Sequence, residues 1–170
     1  MNQQATIAPD RSWLVHALGP VGDAMTRTVI TVPPDMEASE ALAYLYRSGV
    51  GGAPVVEHGR VVGVVTISDL AAPRPFARES GPFLRPHDGG SEWQVRDLMT
   101  ESAVTASPDE PLTEAVIRMA RAHVDRLPVV DRDGRPIGIV ARDDVVRVLA
   151  RAAAREERGT RSLWPVLVPD

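Results

Sequence analysis

Residues 21–56 can be laid on residues 95–130, an offset of 74, with fourteen identities and no gap. Whatever one stretch folds into, the other must fold into as well. Val21, Asp23, Met25 and Thr26 fall on Val95, Asp97, Met99 and Thr100, and Pro34-Asp35 on Pro108-Asp109. Glu40-Ala41 then meet Glu114-Ala115, and Pro54-Val55-Val56 meet Pro128-Val129-Val130. One extra residue in a turn, His58-Gly59-Arg60 against Arg132-Asp133-Gly134-Arg135, brings Gly63 onto Gly138, Val65 onto Val140 and Asp69 onto Asp144. The repeat divides the chain into a flank (1–20), a first copy (21–72), a Pro/Gly-rich irregular connection (73–94), a second copy (95–150), and a helix end and tail (151–170).

Each copy reads as β-α-β-β-α, an α+β pattern. Val29–Val32 is rich in β-branched residues and stopped by Pro33-Pro34, which predicts a short strand. Asp35 is placed to cap a helix whose apolar face carries Leu42, Leu45, Tyr46 and Gly49, matched by Val116, Met119, Ala120 and His123. Ala53–Val56 with Val61–Val65, and Leu127–Val130 with Ile137–Val140, flank polar Gly-bearing turns and predict hairpins. Ser68 and Asp143 stand where a last helix begins and favour its cap, and Pro73 and Pro75 cut the first of these helices short. A small sheet with helices on one face cannot cover itself, so the copies are expected to pack about a pseudo-twofold axis.

Composition narrows the functional classes. Cysteine is absent, which excludes disulfides, thiolate metal sites and cysteine nucleophiles. The net charge of −4 and lack of a basic run argue against a nucleic-acid face. No apolar stretch suits a membrane span and the first residues do not read as a leader, so the expected location is cytoplasmic. No phosphate-binding loop, nucleophile elbow or zinc-protease helix occurs, and neither a catalytic residue nor a metal site is expected. His123, on the predicted apolar stripe, and Glu156-Glu157, on a helix end, are read as structural.

The succession D-x-M-T, T-x-x-P, L/A-P-V-V and G-x-V-x-x-x-D, present twice in order, resembles the CBS domain family, whose paired copies form a Bateman module. The resemblance covers residues 21–72 and 95–150. It implies a non-catalytic regulatory or sensor module that binds an adenosine-containing ligand (AMP, ADP, ATP or S-adenosylmethionine) between the copies, needs no catalytic cofactor and assembles as a homodimer.

It also places the ligand. In site A, Thr66, Ser68 and Asp69 of the first copy are expected to face Val104, Thr105, Asp125, Arg126, Leu127 and Pro128 of the second. A helix start favours phosphate, with Thr66 adding a hydroxyl donor. Ionised Asp69 suits two ribose hydroxyls. Val104 and Leu127 would sandwich the adenine, while Arg126 would meet a phosphate and Asp125 would repel a polyanion. By spacing alone, Ser68 and Asp69 are plain helix caps and Arg126 a solvated charge. Site B, the symmetry mate, would use Asp144 with Ile30, Thr31, Gly51, Gly52, Ala53 and Pro54. There Ala141 stands in place of Thr66 and Asp143 adds negative charge, so this site is expected to be weaker, with Arg142 as a compensating phosphate contact.

The flanks carry Trp13, Leu14, Val15, Leu18, Leu163, Trp164, Val166 and Leu167, which suit docking onto the module, a dimer or an unknown protein partner. They support the alternative of a ligand-free dimerisation or scaffold module.

Overall fold

The computed structural model describes residues 18–71 and 93–161. The tail tryptophans Trp13 and Trp164, with Leu14, Val15, Leu163, Val166 and Leu167, and the prolines of the connection lie outside these residues.

The first copy begins with α1 (Val21–Ala24) and α2 (Ala38–Arg47), followed by the hairpin β1 (Gly52–Glu57) and β2 (Arg60–Thr66) and the short α3 (Ile67–Ala71). The second begins with a 3₁₀ turn (Val95–Asp97) and β3 (Thr100–Glu101). It continues through α4 (Leu112–Ala122), the hairpin β4 (Arg126–Val130) and β5 (Pro136–Ala141), and α5 (Arg142–Arg161).

The helices form because apolar residues recur at helical spacing; of the expected stripe Leu45 and Met119 are buried and Leu42 and Val116 pack on the cores, but its other members are not inside. Ala38, Ala41 and Leu45 face inward in α2, as do Leu112, Ala115 and Met119 in α4. Tyr46 is 64% exposed, and Gly49, Ala120 and His123 are also exposed. Small Ala38 and Ala41 let α2 lie close to its sheet, which leaves the tyrosine ring at the rim. Asp35 does not cap: α2 is entered from Glu37, with no side-chain cap bond. The expected strand Val29–Val32 contracts to one parallel bridge, Val32 to Val55, repeated as Ala106 to Val129. Pro33 ends it because proline has no N–H for a ladder.

Both hairpins form. His58 (φ 51°) and Gly59 (φ 78°) close β1 on β2, both in the left-handed region that a two-residue type I′ turn demands. The longer β4–β5 turn is held by the Asp131 carboxylate, which accepts from the amides of Asp133 and Arg135 at 2.9 Å each.

The copies exchange their first segments. Val21, in the first copy by sequence, is fully buried in a core with Leu112, Ala115, Met119, Leu127, Val129, Val140 and Val145 of the second. Val95 is fully buried with Val32, Ala41, Leu45, Ala53, Val55, Val65 and Leu70 of the first. The backbone bonds match in pairs. The Gly22 amide donates to Pro108 O and the Arg96 amide to Pro34 O, both at 2.9 Å, and the Leu112 amide donates to Gly19 O as that of Ala38 does to Trp93 O. β3 extends the first sheet to the order β1-β2-β3, and Thr26 bridges Ile139 on β5. Each exchanged valine contributes on the order of 1.5–3 kcal/mol by burial, so neither copy's core is complete without the other. Trp93 and Gln94, assigned from sequence to the irregular connection, belong to this docked segment: Trp93 packs on the first core, and the Gln94 amide donates to Asp97 Oδ2 at 2.9 Å.

Gly63 and Gly138, aligned by the repeat, are where these segments cross the hairpins. A Cβ on Gly63 would stand 2.8 Å from both Met99 Sδ and Thr100 O, and one on Gly138 would stand 2.4 Å from Met25 Sδ. The Thr100 oxygen is backbone paired to β2 and cannot swing aside. Gly63→Ala is therefore expected to destabilise the fold by ~1–3 kcal/mol through overpacking, read as a lower urea midpoint at unchanged slope.

Candidate functional site

A cavity of about 430 Å³ opens between the copies, lined by Val64, Thr66, Ser68 and Asp69 of the first and by Thr100, Val104, His123, Asp125 and Arg126 of the second, among others. Six residues of the expected site A thus meet at one cavity: Thr66, Ser68, Asp69, Val104, Asp125 and Arg126. Three do not line it. Leu127 is fully buried because β4 turns it into the second core, and Pro128 is buried on the opposite face of the strand. Thr105 is half-buried, and its carbonyl accepts from the Arg118 guanidinium. The apolar wall is made instead by Val64, Val104 and Val124.

The β2–α3 junction builds the acidic end. The Thr66 amide donates to Asp69 Oδ2 at 2.9 Å, the Thr66 hydroxyl donates to the same oxygen at 2.7 Å, and the Asp69 amide donates back to Thr66 Oγ1 at 3.2 Å. This is a reciprocal capping box, made by Thr66 and Asp69; Ser68 lies within the helix, exposed, and does not cap it. The Ile67 amide donates to Gly51 O at 3.0 Å. The Thr66 hydroxyl and the amides of Thr66, Ile67 and Asp69, expected to face a phosphate, are bonded inside the protein. Both bonds to the carboxylate fall on Asp69 Oδ2.

Arg126 enters from the second copy and lies across the start of β1. Its Nη1 stands 3.5 Å from Gly52 O. The guanidinium lies over Gly51, where an added Cβ would stand 2.9 Å from Arg126 Nη2 and would shift the flexible end of the arginine. Asp125 is 59% exposed at its side chain and pairs with Arg142.

Sequence reasoning missed Ser102 and His123. Both line the cavity and both are non-glycine residues in the left-handed region, at φ 51° and 54°. His123 closes α4 as its C-cap, the position that Gly49 fills in the first copy at φ 66°. Placing His123 on a core-facing stripe was wrong, because the left-handed cap turns it outward. An L-residue held there costs ~1–2 kcal/mol, and such strain gathers at ligand sites. Comparing Gly49 with His123 across the repeat was the available signal.

The residues of site B are not gathered in the same way. Gly51 lines the first cavity, while Gly52, Ala53 and Pro54 are buried in β1. Ile30 packs on the first core and Thr31 is half-buried. Asp144 is only 5% exposed, and its carboxylate is spent on the Ala141 amide and on Arg147 Nη1, each at 2.8 Å. Arg142 lines a second cavity of about 390 Å³ with Val116, Met119, Val145 and His123. Asp143 is exposed at the start of α5. Among the described residues no group of acids and histidines is arranged to hold a metal, and no helix is long and apolar enough to cross a membrane.

The CBS domain family model matches residues 21–72 and 95–151. The chain belongs to the CBS domain family. Its paired repeats and mixed α+β fold are those of solved CBS pairs. The pair of protein MJ0100, solved in complex with 5′-methylthioadenosine and S-adenosyl-L-methionine, is 27% identical with a TM-score of 0.65, covering 78% of this chain and 97% of that one. CBSX2, solved with AMP, is 32% identical with a TM-score of 0.62, covering 78% and 96%. In sequence, the CBS domain-containing protein YhcV of Bacillus subtilis is 34% identical over 127 residues, 74% of this chain and 81% of its own length. Inosine-5′-monophosphate dehydrogenase of Korarchaeum cryptofilum is 33% identical over 144 residues. The chain covers 84% of itself in that match but only 27% of the dehydrogenase.

The two junctions of this CBS pair differ at one atom that bears on stability. Ala141 has no hydroxyl to return a bond to the Asp144 amide, as Thr66 does to Asp69. Ala141→Thr is expected to complete the second capping box and stabilise the fold by ~0.5–1 kcal/mol, measured as a raised thermal midpoint.

Proposed function

We propose that this chain is a regulatory module, without a catalytic role of its own, that binds one adenosine-containing ligand in the cavity between its copies. The observation that carries the reading is the convergence there of Asp69 with Val64, Val104 and Val124 across the interface of the copies. The one Asp69 oxygen outside the capping box has two lone pairs with which to accept from vicinal ribose hydroxyls, and three aliphatic side chains give a flat purine an apolar seat. The ligands of the solved pairs of MJ0100 and CBSX2 support the same class. Site B is the weaker member because the Asp144 carboxylate is already committed.

Such a ligand touches both copies, so it favours the arrangement in which they close on it and shifts any partner that senses that arrangement. The partner is a protein of undetermined identity and the working assembly a homodimer in the cytoplasm; no nucleic acid is involved. A second reading, a ligand-free dimerisation or scaffold module, is favoured by the exposed apolar side chains Ile117, Val146 and Leu149 on α4 and α5.

Calorimetry with adenosine and its 5′ derivatives separates the two readings. Binding at one ligand per chain, weakened ~10-fold or more by Asp69→Asn, as expected for a hydrogen bond to a charged group worth ~1.5–3 kcal/mol, supports the first. Asp144→Asn should leave that affinity unchanged. Absence of binding at high micromolar concentration supports the scaffold reading, and binding that is indifferent to Asp69→Asn rejects the Asp69 cavity as the site.

A further inference from the structure

We propose that the Asp69 cavity takes an adenosine derivative whose 5′ substituent is uncharged or cationic, a thioether or a sulfonium, and discriminates against a polyphosphate. This rests on the adenosine reading and specifies its ligand class.

Most of the donors at the β2–α3 turn are spent. The amides of Thr66 and Asp69 and the Thr66 hydroxyl are closed into the capping box, and the Ile67 amide is held by Gly51 O. Of the side chains at that turn, Ser68 alone presents a hydroxyl to the cavity outside the box. α3 has five residues and hence only a small dipole to offer an anion.

Charge points the same way. The cavity wall carries two carboxylates, Asp69 and Asp125, and one guanidinium, Arg126. Arg126 already leans on Gly52 O and lies over Gly51. The chain contains no lysine, so no flexible ammonium substitutes for it. Arg142 is turned onto Asp125 and lines the other cavity. It offsets the Asp125 charge without offering the first cavity a donor. A triphosphate would meet one guanidinium beside the Asp69 carboxylate, and like-charge juxtaposition carries a cost. The rest of that wall is small and apolar, with Ala103, Val104, Ala122 and Val124. It suits a methylthio group, and Asp125 suits a sulfonium.

The test is calorimetry on the full chain with 5′-methylthioadenosine, S-adenosylmethionine, adenosine and ATP, repeated with Asp125→Asn. The expected result is that methylthioadenosine or S-adenosylmethionine binds ~10-fold or more tightly than ATP. Asp125→Asn should then raise ATP affinity ~3-fold or more and change methylthioadenosine affinity less than ~2-fold, as removal of one like charge predicts. ATP binding as tightly as the thioether, or an ATP-to-thioether ratio unmoved by Asp125→Asn, overturns the proposal while leaving the adenosine reading intact. If none of the four binds, the adenosine reading itself fails and this one falls with it.

Discussion

Two buried valines on the wrong side of the molecule hold the rest in place. Val21 completes the core of the second copy and Val95 that of the first, and each is followed four residues later by a methionine lodged against a glycine of the receiving hairpin. The copies are therefore not two domains touching at a surface. Each supplies part of the other's interior, so opening the cleft far would expose apolar surface at ~25 cal/mol per Å². The cavity between them is a consequence: β3 and the segment from Ser102 to Val104 must cross from the first core to the second, and that crossing forms one of its walls.

At the other wall, the same pair of side chains answers two demands. Thr66 and Asp69 close a capping box because a five-residue helix has little else to hold its first turn. The box leaves the carboxylate with one outward oxygen and the threonine with no free proton. Capping and ligand contact are usually weighed as rivals; here the cap decides which contacts remain, an acceptor for hydroxyls rather than a donor for phosphate.

The pseudo-symmetry is kept in the cores and broken at the cleft. Ala41 and Ala115, Val55 and Val129, and Val65 and Val140 are equivalent and equally buried. At the edges, Gly52 is replaced by Arg126, Gly49 by His123 and Thr66 by Ala141. At the first of these, a Cβ on Gly52 would stand 2.8 Å from the Val65 carbonyl oxygen and 3.1 Å from Thr66 Cα, so the backbone of its own hairpin disfavours a side chain there.

Much of the fold was legible because it is local. Alternating valines around a Gly-bearing turn specify a hairpin wherever they are placed, and two aligned copies specify the same one twice. Thr66, Ser68 and Asp69 could be placed together for the same reason, since a strand-to-helix turn carries its own geometry, whereas Val104, Asp125 and Arg126 reach that cavity only through the packing of the copies. The helix stripe was read correctly at Leu42, Leu45, Val116 and Met119 and wrongly at Tyr46 and His123, set inward, because small alanines and a left-handed cap decide how far the inward face extends. Leu127 was misread as a ligand contact because period-two alternation does not say which face of β4 meets the core. The exchange of Val21 and Val95 could not be read from the sequence at all: identical segments fit either core equally well by pattern. The sequence by itself determined two equivalent β-α-β-β-α units and the residues at their turns. Only the tertiary structure decided which unit each first segment completes, because that choice depends on how the chain crosses between copies, and with it which side chains face the cavity.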